Sequence, residues 1–241
     1  MKITEVKKLS SYLKFAIPIG IGTTAVCFLM TDGKVIKVYL DTDNKKNLFR
    51  AYDMLSHLEY ISTMNNDTYI GAEEILVCNG KVVGYIYPYI KGVTLKRLSD
   101  KTKLDKIYNP YEKLLKDTKE ISDKGFLLSD VSQRNIILND FYRIIDLDRG
   151  YKDNNCDVFQ RNMAKIQRII LNAIFDLKFD DNLCFFDDGL EELRYTANNK
   201  NPYNFELLLE KLFDKDSTKK EVKKKTRIKV ITKDSSYYRV I

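Results

Sequence analysis

The rhythm of apolar and polar positions along the chain changes near residue 91. Before it the runs are short: Ile17, Ile19 and Ile21 alternate, Ala25 to Met30 is continuously apolar, and Val35-Ile36-Lys37-Val38-Tyr39 follows. Runs of this length between Gly-containing turns predict β-strands, with Thr31-Asp32-Gly33-Lys34 as a hairpin turn. Leu48, Tyr52, Leu55, Leu58 and Ile61 then recur at spacings of three and four, the period of an amphipathic helix, with Asp43 as its expected N-cap. A second hairpin is expected over 72–91. It joins Glu74–Cys78 through an Asn79-Gly80 turn to Val82–Tyr87, and Pro88 ends it because proline has no N–H for a sheet ladder.

Beyond residue 91 the period becomes helical. Ile107, Tyr111, Leu114, Leu115, Thr118 and Ile121 predict one helix, closed by Gly125 in the left-handed position after its end. The longest helix is expected from Val158 to Phe175, and two shorter ones over 187–196 and 204–213. Between the first two of these helices lie two short strand-like runs, Asn135 to Leu138 and Arg143 to Leu147. The expected fold class is α+β: a small antiparallel sheet with one helix over residues 1–90, and a mainly helical part over 91–214. A tail over 215–241 follows, whose last residues could pair as a hairpin. No internal repeat is visible.

Composition narrows the chemistry. The chain of 241 residues has a single histidine, His57, expected on the surface of the first helix. One histidine excludes multi-histidine zinc sites, the HExxH metalloprotease and the two-histidine iron triad. The four cysteines, Cys27, Cys78, Cys156 and Cys184, form no CxxC pair, and their expected state is reduced, in the cytoplasm. The net charge of +7 is concentrated in one place, where eight Lys or Arg between Lys215 and Lys229 face only Asp216 and Glu221. That segment reads either as a solvated run or as a docking site for an anionic partner such as nucleic acid. Phe15 to Met30 is uncharged and follows several lysines, but Pro18, Gly20 and Gly22 interrupt it, so neither a signal peptide nor a membrane span is expected.

Four local features carry possible chemistry, and they fall in one order. Gly20-Ile21-Gly22-Thr23-Thr24-Ala25 lies between two strands, where glycines let backbone amides approach a polyphosphate. Lys37 sits inside an apolar strand, where it either snorkels to an edge or holds phosphate oxygens. Asp130 and Asn135 share the loop Ser129-Asp130-Val131-Ser132-Gln133-Arg134-Asn135, a spacing that suits a base and an amide oxygen on one side. Asp146 and Asp148 leave an apolar strand, and a carboxylate there needs a cation, a donor or solvent.

In this order the four features resemble the protein-kinase-like superfamily over about residues 15–175. Gly20 to Ala25 is similar to the glycine-rich loop, and Val35-Ile36-Lys37 to the strand that carries the phosphate-binding lysine. Pro88 to Leu95 resembles the hinge, Asp130 and Asn135 the catalytic loop, and Ile145 to Asp148 the Asp-Phe-Gly position. The resemblance implies a bilobal fold and transfer of the γ-phosphate of ATP, with magnesium, to a hydroxyl. It implies that Gly20, Gly22, Thr23, Thr24 and Lys37 hold the phosphates and that Tyr87, Tyr89 and Ile90 receive the adenine. Asn135 and Asp146 would be the metal ligands and Asp130 the catalytic base.

The chain departs from the family at Leu128, Ser132 and Asp148. The acid expected to pair with Lys37 is Asp53 or Glu59, because the matching helix position is Ala51. Asp157 reads either as an anchor for the catalytic-loop backbone or as a plain N-cap. The compact stretch from Gly92 to Asp130 resembles protein kinases acting on Ser or Thr. The short stretch from Asp146 to Asp157 leaves no room for an activation segment and resembles small-molecule and other atypical kinases. An atypical, compact protein kinase acting on Ser or Thr is expected, with a small-molecule hydroxyl acceptor as the alternative. A nucleotide-binding pseudokinase scaffold and a nucleic-acid module built on the basic tail are the rival classes.

Overall fold

A computed structural model describes residues 1–40, 53–98 and 105–176. The expected N-cap Asp43, the helices over 187–196 and 204–213, the basic segment 215–229 and the C-terminal hairpin lie outside these residues. In chain order the elements are β1 (Lys2–Val6), α1 (Leu9–Tyr12), β2 (Ile17–Ile21), β3 (Ala25–Leu29), β4 (Lys34–Tyr39), α2 (Met54–Ser62), β5 (Glu74–Cys78) and β6 (Lys81–Pro88). There follow β7 (Val93–Thr94), α3 (Asp105–Tyr108), α4 (Tyr111–Asp123), β8 (Phe126–Leu127), β9 (Ile136–Leu138), β10 (Tyr142–Ile144), β11 (Tyr151–Lys152) and α5 (Val158–Asp176). Single 3-10 turns lie at Leu95–Arg97 and Leu147–Arg149.

The first six strands form one sheet in the order β1-β5-β6-β4-β3-β2. Both expected hairpins are present, but the sheet is mixed, because β1 pairs in parallel with β5 at one edge. No alternation pointed to β1: its five residues carry Lys2, Thr4 and Glu5. Across the sheet, Gly20, Cys27, Lys37 and Tyr85 stand opposite one another in a single row. Period-two alternation therefore puts Val35, Lys37 and Tyr39 on one face, and Ile36 and Val38 on the other. Ile36, Val38, Leu76 and Ile86 pack against Leu9, Tyr12 and Leu13 of the N-terminal segment. The face bearing Lys37 joins the main core with Leu58 and Ile61 of α2, Leu114 and Ile121 of α4, and Met163, Ile166 and Ile170 of α5.

The helix expected over 107–121 is split into α3 and α4 by Asn109-Pro110, since a proline cannot accept a preceding helical turn without strain. Gly125 closes α4 as expected, with φ +77° and its N–H donating to Ser122 O. The run 143–147 is strand only to Ile144 and then turns at Asp146. Among the described residues no helix is long and apolar enough to cross a membrane.

Glu74 ties the two sides of the sheet together. Its carboxylate accepts from Thr4 Oγ1 at 2.7 Å and from Lys34 Nζ at 2.5 Å, and Lys2 Nζ lies 3.1 Å away. The Lys34 and Thr4 bonds hold it down to about 2, from an ordinary 4.5. A carboxylate depressed on folding contributes stability that is complete above the unfolded value and is lost as pH falls through about 2. Because both lysines are solvated, the contribution is on the order of 1–2 kcal/mol. Chemical denaturation of wild type and Glu74→Gln between pH 6 and 2 is expected to show the wild-type advantage shrinking below about pH 4.5.

Candidate functional site

Lys37 is the centre of the site. Strand β4 buries its stem, and its ammonium lies over the rings of Tyr39 and Tyr85, 5.8 and 5.7 Å from their centroids. It donates to Asp146 Oδ1 and, at 2.8 Å, to Asp148 Oδ2. Burial alone would lower its pKa, but the charges of Asp148 and Asp146 outweigh that and push it up, so the lysine is an ammonium.

The two carboxylates differ. The Asp148 side chain is 1% exposed, accepts from Tyr39 OH at 2.9 Å as well as from Lys37, and is held below its ordinary range by Lys37 against the cost of burial. Its second oxygen, Oδ1, is buried with no hydrogen-bond donor among the described residues. The Asp146 side chain is 38% exposed, and burial together with the like charge of Asp148 pushes its pKa up. Asp146 has φ 67° and ψ 47°, the left-handed region that aspartate tolerates better than most residues. That conformation ends β10 and starts the 3-10 turn that carries Asp148. Two carboxylates facing one lysine leave the site with an excess of negative charge.

Asn135 and Asp130 join from the neighbouring loop. Asn135 Nδ2 lies 3.5 Å from Asp146 Oδ2 and donates to Asp130 O at 3.1 Å, while the Ile145 N–H donates to Asn135 O at 2.9 Å. The Asp130 carboxylate meets Arg149 Nη1 at 2.9 Å. The loop itself is held from α5. Asn162 accepts from the Leu128 N–H and donates to Phe126 O, and the Lys165 ammonium donates to the carbonyls of Leu128 and Ser129 at 2.6 and 2.9 Å. Asp157 stands just before α5; its main-chain carbonyl accepts from the Arg161 N–H at 3.0 Å, and its carboxylate lies 3.6 Å from the Arg161 guanidinium. The anchoring role weighed for Asp157 is filled by Asn162 and Lys165.

The glycine stretch closes on itself. The Gly22 N–H donates to Ala25 O at 2.8 Å, Gly20 sits beside a register shift in β2, and Thr23 is exposed with Thr24 half-buried beside it at the tip. A Cβ at Gly20 or Gly22 would meet only ordinary contacts, at 3.9 and 3.5 Å, so packing within the chain does not demand glycine at either place. Cys27, opposite both Gly20 and Lys37, has its thiol pushed up by burial and is a neutral thiol rather than a nucleophile. Of the hinge residues, Tyr87 turns inward with its hydroxyl on Cys27 Sγ at 3.8 Å. The Tyr89 N–H is taken by Gly33 O at 3.0 Å, and Ile90 packs against the main core. The Tyr89 N–H is thus engaged within the chain, and Tyr87 contributes a buried ring.

Two expectations are corrected. The buried acid paired with Lys37 is Asp148, not Asp53 or Glu59: Asp53 caps α2 by accepting from the Ser56 N–H at 3.1 Å, and Glu59 is exposed. His57 is buried rather than on the surface, 2.7 Å from the Asp148 carbonyl oxygen. A carbonyl can only accept, so Nε2 carries the proton. His57 is one helical turn before Ile61, and that i,i+4 phase was the available sign that it faces the core. Asn162 and Lys165 carry no sequence signal of their role, since nothing in the spacing of α5 marks them apart from other polar residues on an amphipathic helix.

Asn135 stands beside Asp146 and turns its amide nitrogen toward it, while no cluster of three or more His, Cys, Asp or Glu among the described residues is arranged to hold a metal. No protein-family model matches the chain, and no curated protein sequence matches it.

Proposed function

We propose that the chain is a phosphotransferase of protein-kinase-like, bilobal architecture that moves the γ-phosphoryl group of ATP to a hydroxyl, foremost a protein Ser or Thr. One observation carries the reading. Lys37 is drawn from a sheet against Asp146 and Asp148, more than a hundred residues later in the chain, beside the loop that holds Asn135 and Asp130. Packing requires neither Gly20, two strands away in the same row as Lys37, nor Gly22 just beyond it, and both support an approach of phosphates there.

The chemistry of the donor set fits a magnesium ion. Its preferred ligands are oxygens, it keeps water and phosphate oxygens in its shell, and it needs few protein donors. Asp146 and Asn135 would hold it, and its charge would offset the excess negative charge of the two carboxylates. When bound it would neutralise charge on the phosphates. The chain's own residues do the rest. Lys37 binds phosphate oxygens, and Tyr39 and Asp148 fix the position of its ammonium. Asp130 accepts the proton of the acceptor hydroxyl as its oxygen bonds to the γ-phosphorus, while the bond from that phosphorus to the bridging β-phosphate oxygen breaks and ADP leaves.

The test is transfer of label from γ-labelled ATP with magnesium. Asp146→Asn is expected to reduce transfer by about a thousandfold or more, and Asp130→Asn by about a hundred- to ten-thousandfold. Equal incorporation by wild type and both variants would overturn the reading. One observation favours a second reading, a nucleotide-binding scaffold: Asp130 is already engaged by Arg149. That reading expects magnesium-ATP to raise the melting temperature of wild type without transfer to any acceptor.

A further inference from the structure

The surface around Asp130 is cationic. Arg149 and Asp130 pair in solvent, with side chains 39% and 54% exposed. Lys165 reaches the same loop, and its pKa is pushed down by burial and then by the charges of Arg168 and Arg161, with Asp130 opposing. Arg161 is engaged by Asp153 at 2.7 Å. Arg168, one turn beyond Lys165 on α5, and Arg134, inside the loop, are exposed and form no ion pair among the described residues. Arg149 and Lys165 therefore set two cations against the one carboxylate of Asp130, with Arg134 and Arg168 on the same loop and helix.

We propose that the acceptor presented to Asp130 is an acidic peptide, a Ser or Thr flanked by Asp or Glu side chains that Arg149 and Arg168 bind. The proposal rests on the phosphotransfer reading. A substrate carboxylate takes the Arg149 guanidinium, whose planar fork matches a carboxylate, and Asp130 is released toward the hydroxyl. Each exposed ion pair contributes little, so one acid on a small molecule gains almost nothing from the exchange. Several acids along an extended segment engage Arg134, Arg149 and Arg168 together, which favours a peptide over a small acid.

The test uses the full chain and two fluorescent peptides of equal length, one Ser flanked by Glu and one flanked by Ala. Anisotropy is expected to show the acidic peptide binding about tenfold tighter, an advantage that fades with salt. Arg149→Glu is expected to weaken the acidic peptide by about tenfold and Arg168→Glu by about threefold. Attraction to the basic 215–229 segment is common to all three proteins, so the difference between them reads the site. Should Arg149→Glu fail to fold, Arg168→Glu on the exposed face of α5 supplies the comparison.

Equal affinity for the two peptides, or affinity unchanged in both variants, overturns the proposal. So does tighter binding of a single-stranded RNA with the same dependence on Arg149. Labelled ATP separates the two levels. Transfer to the Ala-flanked peptide as fast as to the acidic one overturns acidic recognition alone. Arg149-dependent binding of the acidic peptide with no transfer to it overturns the phosphotransfer reading.

Discussion

Asp148→Asn is expected to destabilise the protein by about 3 kcal/mol, because it leaves the Lys37 ammonium buried with half of its compensating charge removed. For a chain of this size that corresponds to a fall of roughly 6–12 °C in melting temperature. The same substitution two residues earlier behaves differently. Asp146 is 38% exposed and is repelled by Asp148 in the folded state, so Asp146→Asn relieves repulsion while it weakens the pairing with Lys37. Its expected effect on stability is within about 1 kcal/mol. Thermal unfolding of the two variants, read beside label transfer, separates the roles: Asp148 holds the lysine, and Asp146 faces what enters. Equal destabilisation by both would show that the carboxylates share one structural role.

Gly84→Ala is expected to be the most damaging small substitution in the sheet. Gly84 lies between Val38 of β4 and Leu76 of β5, beside the register shift at Leu76 and Val77. A Cβ there would run into the carbonyl oxygen of Lys37 and lie 2.9 Å from its carbonyl carbon. The obstacle is backbone and cannot turn aside, so β4 and β6 must separate. Overpacking of this kind costs about 3 kcal/mol, and the displaced strand is the one that aims Lys37. Denaturant unfolding is expected to show that loss together with a weakened melting-temperature response to magnesium-ATP. Val83→Ala, at a partly buried position one residue earlier, is expected to cost about 1 kcal/mol and to leave the response intact.

The strands around Lys37 were legible because apolar runs bounded by Asp32-Gly33 and Asn79-Gly80 admit few other structures. The convergence of Lys37, Asn135, Asp130 and Asp146 was legible only through the order of four motifs, since no local pattern says that residue 37 meets residue 146. The partner of Lys37 was misplaced for a related reason. The kinase-like pattern expects that acid on a helix, whereas here it is Asp148, on the turn that Asp146 begins. An Asp-x-Asp leaving a strand can point both carboxylates at one cation when the first residue is left-handed, and φ is not written in the residue letters. The N-terminal strand β1 was missed because Lys2, Thr4 and Glu5 fall on both of its faces and leave no alternating apolar signature.

Placing both acids on one short turn has a consequence for control. In protein kinases the phosphate-binding lysine is paired by a glutamate on a mobile helix, and withdrawing that helix disarms the enzyme. Here α2 lends no charge to Lys37 and touches the turn through His57 and the main chain of Asp148. Tilting that helix would leave the ammonium clasped by its two neighbours. In the proposed phosphotransferase, a shift of that helix would not by itself release Lys37, because both of its acidic partners sit on the turn.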